Sequence, residues 1–334
     1  MRLKNLVVNV LTALLLSVSV FINSCAVLIG NPNDISGSYR GWIAIAPDGA
    51  RAYVTNTGFG TVSVIETRNN TLITTVAVGI APFGLAISPD GKKVYVANNY
   101  SRSISVIDTT TNTVVGGIKT GSPPVMVAIT PDGTKAYTST TNFDILYVLD
   151  TRDDKITSLN VGGSDLGGVA ITPDGKRVYM TNAYFDAVKA VDTQTNAAVA
   201  TVKVGKDPRA IAITPDGTRA YVSNFKSNTV SVVDTRSNDV AATVEVRSKP
   251  FGIVVSPNGR QVYVANNGAN TVSVIDTATH AVTDEISLRY PVSVAVTPDS
   301  RRVYVSSGST GDIAAVDAAA KSVIATVSLS ASRR

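Results

Sequence analysis

The 334-residue chain has one cysteine and one histidine. A lone cysteine excludes an internal disulfide framework, and the two together are too few for a zinc site built from several Cys or His ligands. Charge of one sign is also lacking. Basic residues number 30 against 25 acidic ones, and Arg2 and Lys4 lie at the extreme N-terminus, which leaves 28 against 25, or +3, for the rest. That bias is not a polyanion-binding composition. Hydrophobic residues make up 44% and charged residues 16%, with 25 Gly and 14 Pro, which is too apolar for disorder and too mixed for a polytopic membrane protein. A soluble, turn-rich body is expected, and propellers and barrels of this length fold as one unit.

One long apolar run stands apart. Arg2 and Lys4 precede Leu6 to Ile22, 17 mostly apolar residues, and then Ser24 and Cys25. Residues 1–25 therefore read as an export signal, with 26–40 as a tether and 41–334 as the folded body. Ile22-Asn23-Ser24-Cys25 resembles a bacterial lipobox with an unusual Asn23, which would make Cys25 the lipidated first residue of the mature protein and a membrane tether. Two other readings stand beside it: a cleaved signal with an incidental cysteine, and an uncleaved anchor.

The body repeats. Pro-Asp-Gly begins at Pro47, Pro89, Pro131, Pro173 and Pro215, and variants follow at Pro257-Asn258-Gly259 and Pro298-Asp299-Ser300, at intervals of 42, 42, 42, 42, 42 and 41. Each unit carries four short β-branched runs separated by Gly, Pro, Asn or Asp, which fits strands and leaves no room for helices. Proline fixes φ at the turn, Asp bonds nearby backbone N–H groups, and Gly accepts positive φ. Seven units of four strands predict an all-β, seven-bladed β-propeller with four antiparallel strands per blade. Alanine recurs in the first run (Ala44, Ala86, Ala128, Ala170, Ala212, Ala295), so that run is expected innermost, where strands crowd the axis. Unit one begins with an inner run near Gly41 and unit seven ends with an outer one, Ser322 to Ser328. Each blade is therefore expected to be contiguous, with no exchanged closing strand. An alternative adds Ala26 to Ile29 as an edge strand.

Tyr53-Val54-Thr55-Asn56 spells YVTN, and Ser-Val-Ile-Asp-Thr recurs at 105–109 and 273–277. With the Pro-Asp-Gly turns, the chain resembles the YVTN-family β-propellers over about 294 of its 334 residues. The resemblance implies a bacterial or archaeal protein of the periplasm or cell surface that serves in binding or as an envelope component, some members being associated with DNA. The single Trp, Trp42, leaves no repeated Trp-Asp pair of the WD40 kind.

Sevenfold repetition separates scaffold from site, because a residue present in every unit serves the blade and a ligand site needs its residue once. The turn row (Asp48, Asp90, Asp132, Asp174, Asp216, Asp299), the strand-end row (Asp108, Asp150, Asp192, Asp234, Asp276, Asp317, with Glu66) and the seven tyrosines of the second run are read as structural. His280 reads as an exposed loop residue. Loops into the inner strand and loops between the second and third strands must share one end of the ring. That end, the mouth, collects Trp42, Phe59, Phe83, Tyr100, Phe143, Tyr184, Phe185, Phe225, Phe251 and Tyr290 with Arg102, Arg209, Lys226 and Arg289 as candidate ligand-binding residues.

Such a mouth suits a protein or glycan ligand at the cell envelope, or single-stranded nucleic acid. The competing reading has these rings folding inward to cap the blades. Units three and four place Tyr147 and Lys189, and unit seven Ala314, where four others have Ser. Asp144, Asp165 and Asp186 are a candidate Ca2+ set, with a solvated acidic rim as the alternative and no other cofactor expected. The expected function is non-catalytic exported binding. A lactonase- or lyase-type enzyme using those carboxylates with a divalent cation is the alternative, supported by fold analogy alone, and single-stranded DNA binding is the third reading.

Overall fold

The computed structural model describes residues 40–141, 145–162, 166–309 and 311–329. The expected leader, Cys25 and the alternative edge strand at 26–29 fall outside these, as do Phe143, Asp144 and Asp165. The first strand starts at Arg40, one residue inside the stretch assigned to the tether.

Seven antiparallel sheets of four strands form a seven-bladed propeller, and in every sheet the spatial order is the chain order. Among the described residues no strand is exchanged between first and last blades. The first blade comprises Arg40–Ile45, Arg51–Asn56, Thr61–Glu66 and Thr71–Ala77, and the last comprises Pro291–Val296, Arg302–Ser307, Asp312–Asp317 and Ser322–Ser328. Neighbouring blades meet mainly through their first strands, which places those strands around the axis.

Burial follows from this stacking. Second strands are sandwiched between blades and read as near-continuous buried runs, as in Arg51–Asn56 and Gln261–Asn266. A face-alternating pattern would suit a sheet with one wet side, and these sheets have none near their centres. Fourth strands lie at the outer edge and expose most of their residues. The apolar core is not one mass but seven clusters, one per blade interface. The closing interface joins Ile43, Val54 and Ile65 to Ala295, Tyr304 and Ile313 in the same manner as the others. Hydrogen bonds supplement it: Ser306 Oγ donates to Gly41 O at 3.1 Å, and Arg302 Nη1 donates to Thr67 O.

The recurring residues have recurring jobs. Each second-strand tyrosine is fully buried in one interface. Tyr179 Oη lies 3.0 Å from Thr235 O and 2.9 Å from Asn238 Oδ1 of the next blade, and Tyr304 Oη lies 3.0 Å from Thr67 O and 2.6 Å from Asn70 Oδ1. Burial raises these phenols, those of Tyr95, Tyr137, Tyr221 and Tyr263 to about 12, so they remain donors at neutral pH. His280 occupies the position of Asn70 and Asn238 in the sixth blade. It is half-buried, and its Nδ1 lies 3.2 Å from Tyr221 Oη, which corrects the expectation of an exposed loop residue. The turn aspartates fold onto their own turns: Asp216 Oδ1 accepts from Thr214 Oγ1 at 2.5 Å and from Thr218 N at 3.0 Å. Strand-end aspartates cap the next turn, as Asp276 Oδ1 does for Ala278 N and Thr279 N.

Candidate functional site

The two ends of the ring are fixed by loop pairing. At one end the third-to-fourth-strand turns bond to the Pro-Asp-Gly turns, as when Thr193 Oγ1 donates to Gly175 O at 2.6 Å. At the other, loops between second and third strands bond to loops entering the first strand. Val78 N donates to Gly60 O, Thr120 N to Arg102 O, and Val246 N to Asn228 O. All the aromatic candidates among the described residues belong to this second end.

They divide by depth. Trp42, Phe83, Phe225 and Phe251 are half-buried. Trp42 comes from the first blade, yet its ring centroid lies 6.4 Å from that of Phe83 in the second blade and 6.2 Å from that of Phe251 in the sixth. It also packs against the interface cores of blades three and four and of blades five and six. Trp42 therefore lies across the axis and fills the mouth of the channel. Phe225 meets Phe251 edge-on at 6.1 Å and completes the plug. Trp42 Nε1 is buried with no hydrogen-bond partner among the described residues.

A local device aims these rings. Every inner strand has a register irregularity at its mouth end, as between Pro82 and Leu85 or Pro250 and Ile253. In the second, fifth and sixth blades a large residue within it is followed by a small one: Phe83-Gly84, Arg209-Ala210, Phe251-Gly252. A Cβ on Gly84 would sit 2.5 Å from Val125 O, and one on Gly252 would sit 2.4 Å from Val292 O, so the next blade's backbone requires glycine there. The first blade inverts the order to Gly41-Trp42. That inversion was legible in the aligned repeats as a once-only departure, although its meaning, a ring spanning the axis, was not.

Arg209 sits beneath the plug. Its Nη2 donates to Asp207 Oδ2 at 2.8 Å, and Nε lies 2.8 Å from Oδ1, with both side chains almost fully buried. Lys226 Nζ lies 3.4 Å from Asp207 Oδ2, and the guanidinium stands 5.3 Å from the Phe225 ring centroid. Arg209 is thus ion-paired with Asp207, while its Nη1 is buried with no hydrogen-bond partner among the described residues.

Around the plug stands an exposed rim. Phe59, Tyr100, Tyr184, Phe185 and Tyr290 are 40% to 71% exposed, Tyr184 most of all. Tyr184 and Phe185 meet edge-on at 5.0 Å. Arg102, Lys206, Lys226, Arg247, Lys249 and Arg289 are exposed beside them. Among the described acids of this end, Asp207 is consumed by its ion pair, and Asp186 Oδ1 accepts from Asp207 N at 2.8 Å. Asp186 has positive φ and does what Asn228 does for Lys249 N and Asn270 does for Tyr290 N. It is a loop staple shared with other blades. Its two expected Ca2+ partners, Asp144 and Asp165, lie outside the described residues, and no group of three metal-capable side chains occurs among those that are described.

A family model for the YNCE-like β-propeller matches residues 25–334. Among solved structures, the chain is similar to hydrazine synthase of Kuenenia stuttgartiensis, with 22% identity, 85% of this chain and 96% of that one covered, and a TM-score of 0.77. It is also similar to a protein of unknown function from Desulfotomaculum acetoxidans, with 20% identity, 83% and 94% coverage, and a TM-score of 0.74. At such identities the likeness concerns the fold. No curated protein matches the chain.

Proposed function

The chain belongs to the YNCE-like β-propeller family, and on that premise we propose that it is an exported, non-catalytic binding propeller whose aromatic rim receives an anionic glycan of the cell envelope. The observation that carries this reading is the segregation of rings. Phe59, Tyr100, Tyr184, Phe185 and Tyr290, the exposed aromatics among the described residues, all stand in loops at one end of the ring. Exposed aromatic side chains offer apolar faces with polar edges, which suits pyranose rings, and the neighbouring cations, of which Arg247 and Lys226 are ion-paired with Glu285 and Asp207, favour acidic ones. The plugged axis supports a surface-bound polymer over a small substrate held deep in the channel, since Trp42 fills the space such a substrate would use.

The enzyme reading draws no support from Asp186 and Asp207, which are committed to loop and ion-pair bonds. Single-stranded nucleic acid remains a second reading, because the same rings and cations could stack bases and meet phosphates. Export and tethering rest on the N-terminal sequence. Palmitate labelling that is lost in Cys25→Ser supports the tether, and equal labelling of both proteins overturns it.

The binding test is a thermal-shift titration with a uronic-acid oligosaccharide, its neutral counterpart and an oligothymidylate. The acidic sugar should raise Tm in wild type and not in Tyr184→Ala/Phe185→Ala, because a ligand that binds only the native state stabilises it. A shift by the oligonucleotide alone, falling steeply with added salt, overturns the glycan reading in favour of nucleic acid.

A further inference from the structure

The loops of the mouth are joined to one another by backbone hydrogen bonds. In one part of the ring Val78 N donates to Gly60 O, Asn99 N to Ala81 O and Thr120 N to Arg102 O. In another, Val204 N donates to Asp186 O, Phe225 N to Asp207 O, Val246 N to Asn228 O, Asn267 N to Lys249 O and Leu288 N to Asn270 O. Loops that follow one another in the chain are therefore neighbours around the rim, and the order of their side chains along the sequence is also their order in space.

That order divides the rim into two arcs. Loops 57–60, 78–81, 99–102 and 120–123 expose Phe59, Ile80 and Tyr100 and hold one charged side chain, Arg102. Loops 204–207, 225–228, 246–249, 267–270 and 288–290 hold Lys206, Lys226, Arg247, Lys249 and Arg289, all exposed, against one acid, Asp207, which is buried and paired with Arg209. The exposed aromatics flank this second arc: Tyr184 and Phe185 in loop 183–186 before it, and Tyr290 at its end. Two of its cations are engaged, Lys226 with Asp207 and Arg247 with Glu285. Lys206, Lys249 and Arg289 stand in no ion pair among the described residues.

We infer that the rim is sided, and that its ligand is a glycan with its acidic sugars gathered at one end, over Lys206, Lys249 and Arg289, and its neutral sugars over the aromatic side. This rests on the glycan reading and deepens it by naming how charge is distributed along the sugar. A carboxylate laid against Phe59, Ile80 or Tyr100 exchanges water for apolar surface, with Arg102 the one cation of those loops, and that exchange is unfavourable. Over the other arc the same carboxylate meets cations on hydrogen-bonded neighbouring loops, whose fields add. A polymer charged on every sugar sets part of its charge where nothing compensates it. A neutral one leaves the cations unused. The two arcs thus select against both, and the end-charged chain is the one that satisfies each side.

The test is a calorimetric titration of the whole protein with three oligosaccharides of equal length: one neutral, one uronic at every sugar, and one neutral with uronic sugars at one end only. The end-charged chain should bind about tenfold more tightly than either of the others. Added salt should erase its advantage over the neutral chain, because exposed charges are screened. In Lys206→Gln/Lys249→Gln/Arg289→Gln that advantage should vanish, whereas in Tyr184→Ala/Phe185→Ala the two chains should weaken by the same factor. All five side chains are exposed, so the variants should fold, and an unchanged Tm checks this. Tightest binding by the wholly uronic chain, or an end-charged chain that keeps its advantage in the cation variant, overturns the sidedness and leaves the glycan reading in place. Binding by none of the three overturns the glycan reading and the sidedness with it.

Discussion

The two ends of this ring are built from the same seven repeats, yet they have diverged to different degrees. At the Pro-Asp-Gly end, one blade can stand for another: Thr130, Thr172, Thr214 and Thr297 each bond to the aspartate two residues on, at 2.5 to 2.6 Å. At the mouth, each blade contributes something of its own. Trp42 spans the axis, Arg209 pairs with Asp207, and Tyr147 and Lys189 bond the backbone of the loops entering their own blades. Stacked blades must match along their shared faces, so residues there are constrained seven times over. Mouth loops meet such constraints only at their roots, and their tips are free to differ. The contrast makes a statement about energetics: substitutions at the repeated end and in the interfaces should cost stability alike from blade to blade, whereas those at the mouth should cost amounts particular to each site.

The largest effect is expected in the interfaces. Tyr179→Ala removes a fully buried ring together with its bonds to Thr235 and Asn238, and should cost ~4 kcal/mol. Tyr304→Ala should fall within about 1 kcal/mol of it by denaturant unfolding, because its Oη meets Thr67 and Asn70 as that of Tyr179 meets Thr235 and Asn238. Unlike costs at the two sites would break the equivalence of the two interfaces.

Next comes the buried ion pair, which belongs to one blade only. Asp207→Ala strands the Arg209 guanidinium beneath the aromatic plug and should cost ~3 kcal/mol. Adding Arg209→Met should recover most of that loss, since an apolar side chain of similar length has no charge to leave unpaired. Failure of the second change to rescue the first would mean that the pair acts through contacts other than its own charges.

Acid should discriminate between the ends more gently. Side-chain and backbone hydrogen bonds hold Asp90, Asp132, Asp174, Asp216 and Asp299 below the ordinary value of 3.8, the first cause in each case being the Ser or Thr two residues before. Backbone N–H groups do the same for Asp108, Asp192, Asp234, Asp276 and Asp317. A carboxyl depressed in the folded state stabilises it above the unfolded value and ceases to do so as pH falls through the folded one. Stability should therefore hold down to about pH 4 and drop below it, and Asp216→Asn should flatten that drop slightly when Tm is followed against pH. An unchanged profile in the asparagine variant would place the acid sensitivity outside the turns.

The ring, its seven blades and the end on which the aromatics gather were legible because each follows from periodicity. A 42-residue repeat with four strands fixes which loops share an end before any coordinate is known. Depth was not legible. Phe251 and Phe185 both sit in or beside mouth loops in the sequence, yet one is packed under Trp42 and the other is 46% exposed. What separates them is the inner-strand irregularity, whose aim depends on the backbone of the next blade, a contact between residues some 40 apart. His280 was misread for a similar reason, since its partner Tyr221 lies 59 residues earlier in the preceding blade.

The smallest effect on stability is expected from the most exposed ring. Tyr184 is 71% exposed, and its one aromatic partner is Phe185, itself largely in solvent. An exposed ring removes little apolar surface from water, so Tyr184→Ala should change unfolding free energy by less than about 0.5 kcal/mol. That small cost is what makes the variant informative. A residue retained at a loop tip without helping the fold is a residue available to a ligand, and its loss should then appear in binding and nowhere else. If Tyr184→Ala instead destabilises the protein as strongly as Asp207→Ala does, the ring is holding down a loop, and the division between a plugged centre and an exposed rim would move outward by one layer.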